Sequence, residues 1–361
     1  MLWPLTYCII LFLLTYMLTT FGAKHFSLWN ATDPVYTLKH DPFIYIFALM
    51  LTGTFLIYFL VAPDFGDSLS PLGATQLITT AFLPSVLYFC LLYLFREKQP
   101  IYTSALIFLG ALACASTINF QYSPLNNILP IPLQVLCVAF FITCISLSSK
   151  LLIGLPSIFS LFICSFLLGI TVLSLLGGLP ILYALCAAFY LGTWAAVYQS
   201  NKFEKNIQLN AQSVSITTLF LCALFAHSIG EFSAPSVMIL TFYPLSELFC
   251  ALFITYILRK KENDLYLNTA YIHGYKRGFD LPILQSLVFK LGVLNIILSA
   301  FQLHSVNAFT LPIIAIVLNL WLISKLYLTE IETPSLKQAG QEIYQNIKQD
   351  LKTIKKNIKK D

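Results

Sequence analysis

Charge is what this chain has least of. Asp, Glu, Lys and Arg together make up 10% of its 361 residues, where a soluble globular domain carries about 25%. Water is therefore excluded as the main solvent. Basic residues are also missing ahead of the first apolar run, residues 1–22, and no small-residue cleavage pattern follows it. That argues against a cleaved signal peptide and for a first membrane span. Close cysteine pairs are absent as well. The nine cysteines (Cys8, Cys90, Cys114, Cys137, Cys144, Cys164, Cys186, Cys222 and Cys250) lie singly in apolar segments. Their spacing excludes a thiolate zinc site and a redox pair and predicts small buried hydrophobes.

What is present is apolar. Hydrophobic residues make up 58% of the chain, and mean hydropathy is +0.79. A helix needs about 20 mostly apolar residues to cross a hydrocarbon layer of roughly 30 Å. Such runs fall near 1–22, 43–63, 75–95, 101–118, 129–148, 151–175, 179–199, 211–230, 235–258, 283–301 and 307–328. The pattern predicts an all-α integral membrane protein of about eleven transmembrane helices. A polytopic domain spans 1–330, and a tail occupies 335–361. The runs at 129–148 and 151–175 are divided only by Ser148, Ser149 and Lys150, so one miscounted crossing there would reverse every later loop.

Basic residues set the expected orientation, because short loops rich in Lys and Arg stay cytoplasmic during insertion. Alternate loops carry them: Lys24 and Lys39; Arg96 and Lys98; Lys150; Lys202 and Lys205; then Arg259, Lys260, Lys261, Lys276 and Arg277. The intervening loops near 64–74, 119–128, 176–178, 231–234 and 302–306 carry none. This predicts an outside N-terminus and a cytoplasmic C-terminus, with the Asn30-Ala31-Thr32 sequon on the cytoplasmic side and idle. The net charge of +5 thus reflects topology and implies no nucleic-acid partner. In the tail, Ile343, Ile347, Leu351, Ile354 and Ile358 fall on one helical face, and Lys348, Lys352, Lys355, Lys356, Lys359 and Lys360 crowd the rest. Such a helix suits an anionic lipid surface.

Ionisable residues at membrane depth are costly and tend to be functional. Glu247, in Tyr243-Pro244-Leu245-Ser246-Glu247, lies about half-way along its run, and Pro244 frees a carbonyl nearby. Its carboxyl must face the bundle interior or take a proton. Lys290 is close enough to a span end to snorkel, and His227 reads as a satisfied interior histidine. Pro84, Pro130, Pro132, Pro156, Pro180, Pro244, Pro282 and Pro312 fall within or beside spans, where neighbouring helices tolerate kinks.

In order along the chain, the cytoplasmic loops resemble those of the polyprenyl-phosphate N-acetylhexosamine-1-phosphate transferases, the bacterial N-acetylglucosamine enzymes above all. Asp33-Pro34-Val35-Tyr36-Thr37-Leu38-Lys39-His40 resembles that family's Asp-x-Pro, basic, His signature. Lys205-Asn206-Ile207-Gln208-Leu209-Asn210-Ala211-Gln212-Ser213 is similar to Lys-Val-Phe-Met-Gly-Asp-Ala-Gly-Ser. Pro244-Leu245-Ser246-Glu247 resembles Pro-Leu-x-Asp of the ninth span. Ile272-His273-Gly274-Tyr275-Lys276-Arg277-Gly278-Phe279 looks like the end of the His-x-His-His loop. The resemblance covers nearly the whole chain. It implies eleven spans, a bacterial cytoplasmic membrane, and transfer of a sugar phosphate from a UDP-sugar to undecaprenyl phosphate. It assigns Asp33, Lys39, His40, Lys205, Ser213 and His273 to substrate binding, and Asn210, Glu97 and Glu247 as candidate catalytic positions.

The departures fall on the metal chemistry. Such transferases use acidic residues to hold Mg²⁺, a hard ion that takes oxygen ligands and neutralises the pyrophosphate. This chain has no adjacent aspartate pair: the expected place reads Leu94-Phe95-Arg96-Glu97-Lys98, which offers only Glu97. Ile145-Ser146-Leu147-Ser148-Ser149-Lys150 stands where the family has an acidic run, and Asn210 replaces an aspartate. These losses point to a catalytically degenerate relative, a pseudoenzyme that binds a lipid carrier or scaffolds envelope-polysaccharide proteins. One alternative is an active transferase whose Mg²⁺ site is rebuilt from Asp33, Glu97, Glu204, Asp264 or Asp280. Another is a small-molecule transporter that uses Glu247 and the interrupted spans, although no repeat relates the two halves by eye.

Overall fold

The computed structural model describes residues 2–27, 42–57, 100–116, 118, 129–152, 156–203, 214, 217–222, 234–253, 255, 269–276, 278–305, 307 and 309–328. Every regular element among them is helical. In lipid no water is available to satisfy peptide groups, so an apolar run must close its own hydrogen bonds. The helices are α1 (Leu2–Ser27), α2 (Pro42–Leu56), α3 (Pro100–Ser116), α4 (Ile131–Ser149), α5 (Pro156–Leu175), α6 (Ile181–Phe203), α7 (Ala234–Leu240), α8 (Phe242–Leu252), α9 (Ala270–Lys276), α10 (Leu281–Gln302) and α11 (Thr310–Leu328). Residues 217–222 are also helical. Around Lys150 the stretch divides into two helices, the first running into a 3₁₀ turn at Lys150–Leu152. Among the described residues, five helices are long and apolar enough to cross a membrane, or six when the bent pair α7–α8 counts as one span. The chain is a multi-pass membrane protein. The run at 75–95 and the basic tail lie outside the described residues.

A hub and a perimeter organise the bundle. Helix α6 is the hub: 78% of its apolar stretch is buried, and α5 beside it reaches 72%. On one side of α6 sits α1, and α2 also touches it; on the far side of α5 lies α10, which in turn meets α7 and α11. Helix α1, by contrast, is only 22% buried over its apolar stretch, and α10 is 33% buried. Their outward faces carry Trp3, Ile10, Met17, Phe289, Val293 and Phe301, all exposed. Apolar side chains arranged so in a multi-pass protein meet lipid.

Lipid tails are as apolar as leucine, so close packing and hydrogen bonds, rather than escape from water, hold the helices together. The contact of α1 with α6 shows both. A methyl group at Gly192 would run into Thr15 Oγ1 and the Phe12 carbonyl, so glycine lets the two backbones approach. In the space gained, Thr15 Oγ1 donates to the Phe189 carbonyl at 2.8 Å. A second polar clasp joins α10 to α11, where Asn319 Nδ2 donates to Asn295 Oδ1 at 2.8 Å and Asn295 Nδ2 returns a longer bond of 3.4 Å. Both amides are buried. One turn further along α10, Ser299 Oγ donates to the Ser236 carbonyl of α7 at 2.6 Å. At the end of α11, Lys325 Nζ lies 3.8 Å over the Trp321 ring, a pairing suited to a membrane boundary.

Prolines start helices here more often than they kink them. Pro42, Pro100 and Pro156 are first helical residues, and Pro132, Pro235, Pro282 and Pro312 fall within first turns, where the missing N–H has no partner to lose. Pro244 is the exception that bends a span. It cannot donate to the carbonyl four residues back, and its ring crowds that carbonyl, which belongs to Leu240. The helix stops there, Thr241 leaves helical geometry with φ −96° and ψ 0°, and α7 and α8 diverge by 58°. Of the eight cysteines described, Cys8, Cys114, Cys186 and Cys222 are buried as expected, whereas Cys137 is exposed on α4.

Candidate functional site

Among the candidate positions, Glu247 and His273 are described. Asp33, Lys39, His40, Glu97, Lys205, Asn210 and Ser213 lie outside the described residues, as do His227, Glu204 and Asp264. Asp280 is exposed just ahead of α10, its backbone carbonyl accepting from the Ile283 and Leu284 amides. Lys290 is exposed on α10, as a snorkelling residue should be.

The bend at Thr241 sets the path of α8 and with it the position of Glu247, which is fully buried. A carboxyl group in such a place must find donors. Glu247 finds two. Its Oε2 accepts the backbone N–H of Ala270 at 2.9 Å, and its Oε1 accepts from Tyr243 Oη, one turn earlier, at 3.3 Å. Ala270 is the first residue of α9, whose opening N–H groups lack partners within the helix. The carboxyl of one element thus caps another. Sequence patterns single out the acid but not its partner, because the donor is a backbone group 23 residues away.

The neighbouring elements extend this into a polar seam. Tyr271, next to the capped residue, donates its hydroxyl to the Leu151 carbonyl in the 3₁₀ turn after α4. At the end of α4, the Ser148 and Ser149 hydroxyls bond back to the Ile145 and Ser146 carbonyls, and Thr218 Oγ1 meets Ser149 Oγ at 2.9 Å. Ser146 Oγ is buried without a hydrogen-bond partner. Ser146, Ser148 and Ser149 are therefore folded inward, with Ser149 against 217–222.

Helix α9 carries His273 one turn past the cap, with its side chain half-buried. The described helix ends at Lys276, and beyond it Gly278 takes a φ of +92° that only glycine adopts without strain. There the Phe279 N–H returns to the Gly274 carbonyl at 3.0 Å, closing the last turn. The helix Ala270–Lys276 is thus tied near its start by Glu247, through Ala270, and by Tyr271.

Two small cavities flank the bend. One, of about 10 Å³, lies among Phe162, Ser165, Leu240, Tyr243, Gly292 and Asn295. The other, of about 20 Å³, is lined by Ile145, Phe166, Cys222, Val237 and Thr241, among others. The first is at the lower limit for a single water, and the second holds little more. Neither is a ligand pocket.

Mg²⁺ prefers near-octahedral oxygen ligands, commonly waters, carboxylates and phosphates. Glu247 does not fit that role, since both its oxygens are engaged by protein donors and it is sealed from water. Among the described residues no three His, Cys, Asp or Glu side chains stand close enough to share an ion. No family model matches the chain, and no curated protein matches it.

Proposed function

We propose that this protein is a catalytically silent relative of the polyprenyl-phosphate sugar-1-phosphate transferases that binds a polyprenyl phosphate carrier or scaffolds envelope-polysaccharide assembly. What supports the reading is that Glu247, in Pro244-Leu245-Ser246-Glu247, bonds the backbone N–H of Ala270, two residues ahead of the resembling segment Ile272–Phe279 and first in the helix that carries His273. Segments 23 residues apart in sequence meet as parts of one site would. In this reading the chain crosses a bacterial cytoplasmic membrane eleven times, with the N-terminus outside and the basic tail at the cytoplasmic lipid surface. Lys39, His40, Lys205 and His273 face the anionic headgroup, with Asp33 and Ser213 beside them. Silence follows from the missing oxygen ligands, Asn210 for an aspartate and Glu97 alone for an aspartate pair.

Binding of radiolabelled undecaprenyl phosphate to the purified protein tests this. The expected result is saturable binding above that of an unrelated membrane protein, with no UMP released from UDP-sugars in the presence of Mg²⁺. Binding no better than the control sinks the lipid-carrier role, and Mg²⁺-dependent UMP release sinks the silence. Reporter fusions after Lys205 and after Glu231 test the orientation, the first expected cytoplasmic and the second outside.

The bend at Thr241 favours a second reading, transport. Discontinuous helices near the membrane midplane are where many transporters hold substrates. Uptake of a labelled solute by vesicles containing the protein, abolished by Glu247→Gln, would favour this reading over the first.

A further inference from the structure

The obvious role for a lone acid buried in a span is to bind a cation, carry a proton or take part in chemistry. The geometry points elsewhere. We infer that Glu247 is a positioning residue: it anchors the N-terminal end of the helix Ala270–Lys276 and thereby fixes where His273 stands. Three observations carry this. The carboxyl is fully buried and spends its oxygens on one backbone N–H and one tyrosine hydroxyl. Its backbone partner, Ala270, is the first residue of a seven-residue helix, too short to persist alone in water and so dependent on what holds its ends. Further fastenings lie on the same segment: Tyr271 reaches the Leu151 carbonyl, and the Gly278 turn closes the far end. Removing Glu247 takes away the carboxyl that holds the Ala270 N–H, and His273 lies one turn further on. The inference extends the proposed function, because His273 belongs to the anion-facing set there, but it concerns the helix itself and needs no ligand to be tested.

The test is acylation of histidine by diethyl pyrocarbonate on the full-length protein in detergent, with rates read per histidine by peptide mass spectrometry. His304, in the turn after α10, serves as internal control. In Glu247→Ala the rate at His273 is expected to rise about tenfold, since the segment loses a buried hydrogen bond to a carboxyl, while His304 keeps its rate. Glu247→Gln retains a carbonyl oxygen for the Ala270 N–H and is expected to restore a rate within about twofold of wild type. If Glu247→Ala does not survive extraction, Glu247→Asp replaces it, because the shorter side chain cannot span the same distance. An unchanged His273 rate in either truncated variant overturns the inference. So does a parallel rise at His304, which would mean general loosening, or failure of the glutamine to rescue. Binding of undecaprenyl phosphate to the same variants separates the two ideas. Absent binding in wild type refutes the lipid-carrier role and leaves the positioning result standing. Intact binding with no change at His273 does the reverse.

Discussion

Helices α6 and α1 have similar apolar composition and opposite surroundings. Over their apolar stretches, α6 is 78% buried and α1 only 22%, yet both are made mainly of Leu, Ile, Ala, Phe and Tyr. In water such a difference would be read from amphipathicity. In lipid both faces of a helix can be apolar, so the inner face is marked by small and weakly polar groups instead. On α6 these are Gly192 and Thr193, and on α1 Thr15 and Thr19, all turned inward. Adhesion in this protein therefore rests on fit at the hub, while the perimeter is held only by what its few inward groups touch.

Substitutions can break that comparison. The largest effect is expected from Trp194→Ala. This side chain is fully buried, with Phe159 edge-on at 5.4 Å, and its loss leaves an unfilled volume costing about 3 kcal/mol even without a transfer contribution from water. The matched change Phe301→Ala, at a residue 65% exposed on α10, should move stability by less than about 0.5 kcal/mol. Unfolding in mixed detergent micelles measures both. Equal effects would mean that Phe301 faces protein and that the perimeter is misassigned.

Next in size is Val317→Arg, near the middle of α11 and 59% exposed. If that face meets hydrocarbon, the guanidinium lowers insertion by roughly 2.5–3.5 kcal/mol, seen as a fall in correctly inserted protein. Normal insertion and stability would show that the face borders water or a polar partner. A smaller effect than either disruptive change is expected from Asn319→Leu, which removes the clasp to Asn295 at about 1 kcal/mol. A double-mutant cycle with Asn295→Leu isolates the pair, and a coupling near zero would reduce it to an incidental contact.

Much of this arrangement is legible in the sequence. The apolar runs near 1–22, 129–148, 151–175, 179–199 and 283–301 coincide with described helices long enough to cross a membrane, and the division at Ser148–Lys150 falls where two helices separate. Glu247 is singled out by depth and proves to be buried. The bend was harder to place. Pro244 announces a disturbance, but the break appears at Thr241, because proline deprives the carbonyl four residues behind it rather than its own position. The capping of Ala270 leaves no sequence trace, since every residue but proline offers a backbone N–H. The Asn295–Asn319 clasp did leave one, two amides inside apolar runs, which gains meaning only once α10 and α11 are known to touch. The remaining site residues, from Asp33 to Ser213, belong to segments beyond the described helices, so the resemblance stands on its motifs there.

The bond between Thr15 and Phe189 joins residues 174 positions apart. At a synthesis rate of 5–20 residues per second, α1 leaves the ribosome roughly ten to thirty-five seconds before its partner exists. During that interval its threonine-bearing face has only lipid, the insertion machinery or earlier helices for company. The hub is thus the late arrival around which an already embedded first helix must be gathered.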